Sequence, residues 1–83
     1  MGRLVQLWRI EDSADAAVYL YGASKLQAGR MRVSKKDQAV SLITPVPGLT
    51  QPEEKFQFQD LAAAKLKMLA AKSSFPDETF IAT

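Results

Sequence analysis

The sequence predicts an α+β domain: an antiparallel sheet of two hairpins plus a C-terminal edge strand, with one α-helix packed on one face. Three observations carry this expectation. Short β-prone runs alternate with polar turns through residues 3–43, an uninterrupted stretch of strong helix formers occupies residues 61–72, and a further β-prone run closes the chain at residues 79–82. The chain has 83 residues, 47% of them hydrophobic and 24% charged. A chain of this size buries roughly 60–65% of the surface it exposes when unfolded. That supports a single small globular domain over residues 1–83 and leaves no room for a second.

Residues 3–10 read as the first strand, with Leu4, Val5, Leu7, Trp8 and Ile10 apolar and Gln6 and Arg9 interleaved. The acidic, small-residue segment 11–15 suits a hairpin loop, and residues 16–21 return as a strand with Val18 and Leu20 on one face and Tyr19 and Tyr21 on the other. Gly22, Ala23 and Ser24 break it. Arg30-Met31-Arg32-Val33 alternates charge with apolar side chains, the period of a half-buried strand. Residues 34–38 form its polar turn and residues 39–43 the returning strand, ended by Pro45, which has no ladder donor. Pro45, Pro47 and Gly48 make the next segment, residues 45–49, irregular.

Residues 61–72 are the helix. Its start is ambiguous: Pro52 followed by Glu53 and Glu54 resembles a first turn. Against this, Phe56-Gln57-Phe58-Gln59 alternates like a strand and Asp60 suits an N-cap. The shorter helix, beginning at Leu61, is the one expected. Its apolar arc holds Leu61, Ala62, Leu66, Met68 and Leu69, and Lys65 lies within it, its methylenes covering apolar surface and its amine reaching outward.

The apolar surfaces do not balance. On the first strand Leu4, Trp8 and Ile10 point one way and Val5 and Leu7 the other, so one short helix leaves an apolar sheet face uncovered. That face holds one of these two sets, with the tyrosine pair as a candidate member. Uncovered apolar surface of this size, rimmed by polar groups, marks an interface; the alternative is that the proline loop or the last strand folds over it.

The residue inventory excludes much chemistry. The chain has no Cys and no His, which removes disulfides, thiolate metal sites, thiol nucleophiles and the commonest general base. The carboxylate pairs Glu11/Asp12, Glu53/Glu54 and Asp77/Glu78 sit in expected loops or helix ends, where solvent keeps acids ordinary. Glycines at 2, 22, 29 and 48 lack the clustering of a phosphate cradle. No catalytic, cofactor or metal residues are therefore assigned, and the chain is not expected to be an enzyme. No motif is specific enough to indicate a family.

Charge is uneven. Residues 1–36 hold seven bases against three acids, and residues 37–83 four bases against six acids, for +2 overall. Arg30 and Arg32 share a strand face, with Lys35 and Lys36 in the adjoining turn. This cluster is a candidate phosphate contact, and Trp8, Tyr19 and Tyr21 are candidate stacking surfaces; the plainer reading is a solvated outer face.

The reading preferred on sequence is a non-catalytic protein-interaction module, self-associating or adaptor-like, acting through an apolar sheet face with Leu7, Trp8, Tyr19 and Tyr21 as anchors. Its partner is a second copy or another protein. The alternative is a small nucleic-acid-binding protein using Arg30, Arg32, Lys35 and Lys36. The longest run without charge, residues 38–51, contains two prolines and a glycine and falls short of the about 20 apolar residues of a membrane span. The N-terminal segment lacks the apolar stretch of a signal peptide. No membrane association and a cytoplasmic location are expected.

Overall fold

The computed structural model describes residues 4–22, 24–46 and 52–82. Arg3 and Ala23, placed by the sequence in the first strand and the break after the second, lie outside these residues, as do residues 47–49 of the expected proline loop. Five strands form one antiparallel sheet: β1 (Leu4–Asp12), β2 (Ala16–Gly22), β3 (Gly29–Ser34), β4 (Val40–Thr44) and β5 (Glu78–Ala82). Their order is β4-β3-β2-β1-β5, and a single helix, α1 (Pro52–Ala71), packs on one face. This is the α+β arrangement expected, with β5 pairing along β1 from Leu4↔Ala82 to Trp8↔Glu78.

The first hairpin loop is shorter than the sequence suggests, because β1 continues to Asp12 through a bulge. The register runs Arg9↔Tyr19 and then Glu11↔Val18, so Ile10 and Glu11 together oppose one partner. Ser13 then closes the turn: its amide donates to the Ala16 carbonyl at 2.8 Å, and the Ala16 amide donates to Ser13 Oγ at 3.2 Å. In the second hairpin the Ser34 amide donates to the Ala39 carbonyl at 2.8 Å. Asp37 accepts from the Ala39 amide, and its carboxyl is held below the usual carboxylate range by hydrogen bonds from the Ser34 hydroxyl and that amide.

The core lies between the sheet and α1. Val5 and Leu7 of β1, Ala17, Tyr19 and Tyr21 of β2, and Met31 and Val33 of β3 face Ala62, Leu66, Leu69 and Ala70 of α1. Met31↔Leu42 and Val33↔Val40 pair across β3 and β4. The edge strand is only thinly covered, and Leu42 and Ile43 are exposed.

The helix starts at Pro52, so the shorter helix favoured on sequence is corrected, and Phe56-Gln57-Phe58-Gln59 is helical rather than strand-like. The buried stripe explains why: Phe58, Ala62, Leu66 and Leu69/Ala70 fall at successive helical turns, and Phe58 packs against the core. Asp60 is thus an exposed mid-helix residue. Met68, assigned to the apolar arc, is instead half exposed, while Lys65 is half-buried at the margin of the stripe.

The helix ends in a Schellman motif. The Ser74 amide donates to the Leu69 carbonyl at 3.0 Å and the Ser73 amide to the Ala70 carbonyl at 3.1 Å, with Ser73 at φ 53°. Glycine adopts this left-handed backbone without the steric cost that serine carries. Ser73→Gly is expected to raise stability by about 0.5–1 kcal/mol in chemical denaturation.

Gly29 is required for a different reason. It pairs with Tyr21 across the sheet, and the phenol ring lies over it: a Cβ at position 29 would stand 2.5 Å from Tyr21 Cε1 and 2.7 Å from the Thr44 carbonyl oxygen. Both neighbours are fixed, one by burial and one by the backbone. Gly29→Ala is expected to cost about 2–3 kcal/mol, read as a lowered denaturation midpoint, and an unchanged midpoint would refute this packing.

Candidate functional site

The face of the sheet opposite α1 is built by the alternate residues of each strand. Across its middle runs one row, fixed by register: Arg30 of β3 beside Leu20 of β2, Leu20 beside Trp8 of β1, and Trp8 beside Glu78 of β5. Next to it lies the row Arg32, Val18 and the bulged pair Ile10/Glu11. On the other side Gln6 stands between Gly22 and Phe80, and Leu4 pairs with Ala82.

No secondary-structure element among the described residues covers this surface. Phe80 is 60% exposed, Leu4 49% and Ile10 45%, and Trp8 and Leu20 are half-buried by their neighbours. A shallow hollow of about 250 Å³ lined by Gln6, Trp8, Glu78, Thr79 and Phe80 opens here. A 3₁₀ turn over Lys25–Gln27, capped by Ser24 Oγ accepting from the Leu26 amide, borders the face. It places Lys25 Nζ 5.8 Å from the centre of the Trp8 ring, and the adjoining Leu26 is almost wholly exposed.

Only one of the four anchors expected from the sequence lies on this face. Trp8 does. Leu7, Tyr19 and Tyr21 are each fully buried beneath α1, which corrects their assignment as exposed interface residues. The physical reason is the register between β2 and β3. Arg30 and Arg32 pair with Leu20 and Val18, so the face carrying the guanidinium groups must carry those two aliphatic residues, and the tyrosines turn inward. Tyr19 donates its hydroxyl to the Pro76 carbonyl at 2.7 Å; Tyr21 has its hydroxyl sealed from solvent beside Gln59 and Val46. Phe80, the most exposed aromatic of the surface, was not among the sequence candidates. Its signal was the alternation in Thr79-Phe80-Ile81-Ala82, with Thr79 and Ile81 half-buried and Phe80 turned out.

The basic cluster is divided. Arg30 and Arg32 are exposed on the open face and make no ion pair among the described residues. Lys36 is exposed in the turn. Lys35 is committed elsewhere: it pairs with Asp12 and sits 4.9 Å from the centre of the Phe75 ring. The hydrogen bond from Lys35, with Arg9 adding its charge, holds the Asp12 carboxyl below the usual range. Arg9 in turn pairs with Asp77 and donates to the Phe75 carbonyl. This rim ties both hairpins to the segment between α1 and β5.

Glu11, Asp12 and Asp15 line a shallow depression with Arg32, but Asp12 is already neutralised by Lys35 and Arg9. Among the described residues no group of three or more His, Cys, Asp or Glu is placed to hold a metal ion, and no helix is long and apolar enough to cross a membrane. No family model, curated protein or solved structure matches the chain.

Burial pushes the Tyr19 phenol up from 10.0 to about 12, with the nearby Arg9 charge opposing and the Asp12 and Asp77 charges assisting. A folded value above the unfolded one means that the protonated phenol stabilises the fold below pH about 10, and that this stability is lost as pH rises towards 12. Tyrosinate absorbance from Tyr19 in the folded protein should therefore appear only as pH approaches about 12, later than for an exposed phenol at 10.0. Tyr19→Phe should cost about 1 kcal/mol at neutral pH and make the alkaline decline in stability shallower; an identical decline in that variant would contradict the assignment.

Proposed function

We propose that the chain is a non-catalytic protein-interaction module that binds through the open face of its sheet. The observation that carries this reading is the contiguity of Leu4, Trp8, Ile10, Leu20 and Phe80 on a surface over which no helix lies among the described residues, three of them 45–60% exposed. Exposed apolar surface of this kind is costly to leave in water, and burying it releases about 25 cal/mol per Å² before the costs of association. Trp8 and Phe80 border a hollow into which a partner side chain fits, the arrangement typical of binding hot spots. Most of the charge stands at the flanks, Arg30 and Arg32 on one and Glu11 and Glu78 on the other, with Lys25 reaching over the Trp8 ring. That is the plan of a protein interface, with an apolar core and polar rim.

A second reading is favoured by one observation. Arg30, Arg32 and Lys25 share the face with two aromatic rings, which is how single-strand nucleic-acid binders combine phosphate contacts with stacking. Glu11 and Glu78 on the same face repel phosphates, and Lys35 is withdrawn into its pair with Asp12, so protein binding is preferred.

The test is site-specific photocrosslinking in the producing cell. A benzophenone amino acid in place of Phe80 is expected to give a protein adduct, whereas the same residue in place of Ala64, exposed on the outer side of α1, gives none. Adducts with nucleic acid alone would transfer support to the second reading, and no adduct at position 80 would refute both.

A further inference from the structure

Resting on the reading of the open face as a protein-binding surface, we infer that its occupant is a second copy of this chain, docked face to face about a two-fold axis parallel to the strands. The order of charge across the sheet points to this partner. The central row reads Arg30, Leu20, Trp8, Glu78 on β3, β2, β1 and β5. Base stands at one end, acid at the other, and two large apolar side chains lie between.

Consider a dyad running along the strands between β1 and β2. It exchanges β2 with β1 and β3 with β5 while keeping each residue at its level along the strands. Arg30 of one copy then opposes Glu78 of the other, and Leu20 opposes Trp8. The same two contacts recur on the far side of the axis, as an isologous interface requires. The neighbouring row supports the same operation, because Arg32 comes within one strand of the second copy's Glu11. Phe80, the most exposed aromatic of the three rows, lies at the level of Gly22 and opposes the second copy's chain just before β3 begins. Arg30, Arg32, Glu11 and Glu78 are all exposed and make no ion pair among the described residues, so each is available for a contact across the axis. Stacked twisted sheets align within about 30° of one another, and the long arms of arginine and glutamate span the offset this introduces.

A dyad perpendicular to the strands and lying in the sheet plane would instead set β3 against β3 and bring the arginines together. Like charges so juxtaposed oppose association. The charge pattern therefore selects one symmetry operation as well as one partner.

The charge order also supplies the test. Sedimentation equilibrium of the full chain should show a dimer at about 100 µM. R30E and E78R are each expected to weaken dimerisation at least about tenfold, because each places like charges at both symmetric contacts. Their equimolar mixture should recover the wild-type affinity to within about threefold. In the mixed dimer the two introduced side chains, one acidic and one basic, meet at one contact, and the unaltered Arg30 and Glu78 meet at the other. Unchanged melting temperatures in both variants would establish that folding is intact. A wild-type chain that is monomeric at this concentration overturns the inference, as does a mixture no tighter than the single variants. If the wild type dimerises and Trp8→Ala weakens it while the reversals do not, the proposed two-fold pairing is wrong although the face still binds protein. An adduct to a different protein at position 80, with a monomeric wild type, likewise removes the second copy as occupant and leaves the interaction module standing.

Discussion

A single twenty-residue helix lying on a five-stranded sheet can shield only one of its faces, and the rest of this structure follows from that constraint. Strand side chains alternate, so every strand that buries one set of residues against the helix must present the other set outward. On β1 the choice was between Val5 with Leu7 and Leu4 with Trp8, and both sets are apolar. The chain has no purely polar face with which to meet water. It compromises by placing arginines on β3 and a glutamate on β5, at the flanks of the outward surface, and leaves aliphatic and aromatic residues at its centre.

The helix-side core is small and relies on close approach. Ala62 and Ala70 let α1 sit near the sheet, and the two tyrosines fill the volume beneath it. Tyr21 reaches across its own strand partner, Gly29, so that one ring covers two strands. Tyr19 extends to the segment leading into β5 and holds it through the Pro76 carbonyl. The phenols, which have the size and character of interface anchors, are thus used to close the molecule on itself. Arg9, Asp12, Lys35 and Asp77 reinforce the same end. Exposed ion pairs are individually weak, so their effect is to set the path of the chain more than to stabilise it. By fixing β5 beside β1 they bring Phe80 and Glu78 onto the open face, and without that strand the surface would lack its acidic flank and its most exposed ring.

The open face also illustrates how charge placement can carry more information than net charge. The chain is only mildly basic, and the cluster that looked continuous along residues 30–36 separates in space. Two arginines stay on the sheet face, one lysine is consumed by an ion pair, and one is left in a turn. What remains along the central row is an order from base to acid across apolar ground.

Much of the architecture was legible in the residues. Alternation in Arg30-Met31-Arg32-Val33 and in Thr79-Phe80-Ile81, polar turns between β-prone runs, and the alanine-rich stretch after Asp60 determined the hairpins, the last strand and the lone helix, because these depend on local preference and periodicity. They also determined that apolar surface would be left over. Period-two patterning states which residues share a face, but it is indifferent to which face receives the helix. That was decided by tertiary register, where Leu20 and Val18 pair with the two arginines and send Tyr19 and Tyr21 inward. The start of α1 was likewise decided by packing, since Phe58 completes the buried stripe only if the helix reaches back through the alternating Phe-Gln segment. Local rules set the elements. Pairing between distant strands chose the side of the sheet that faces outward.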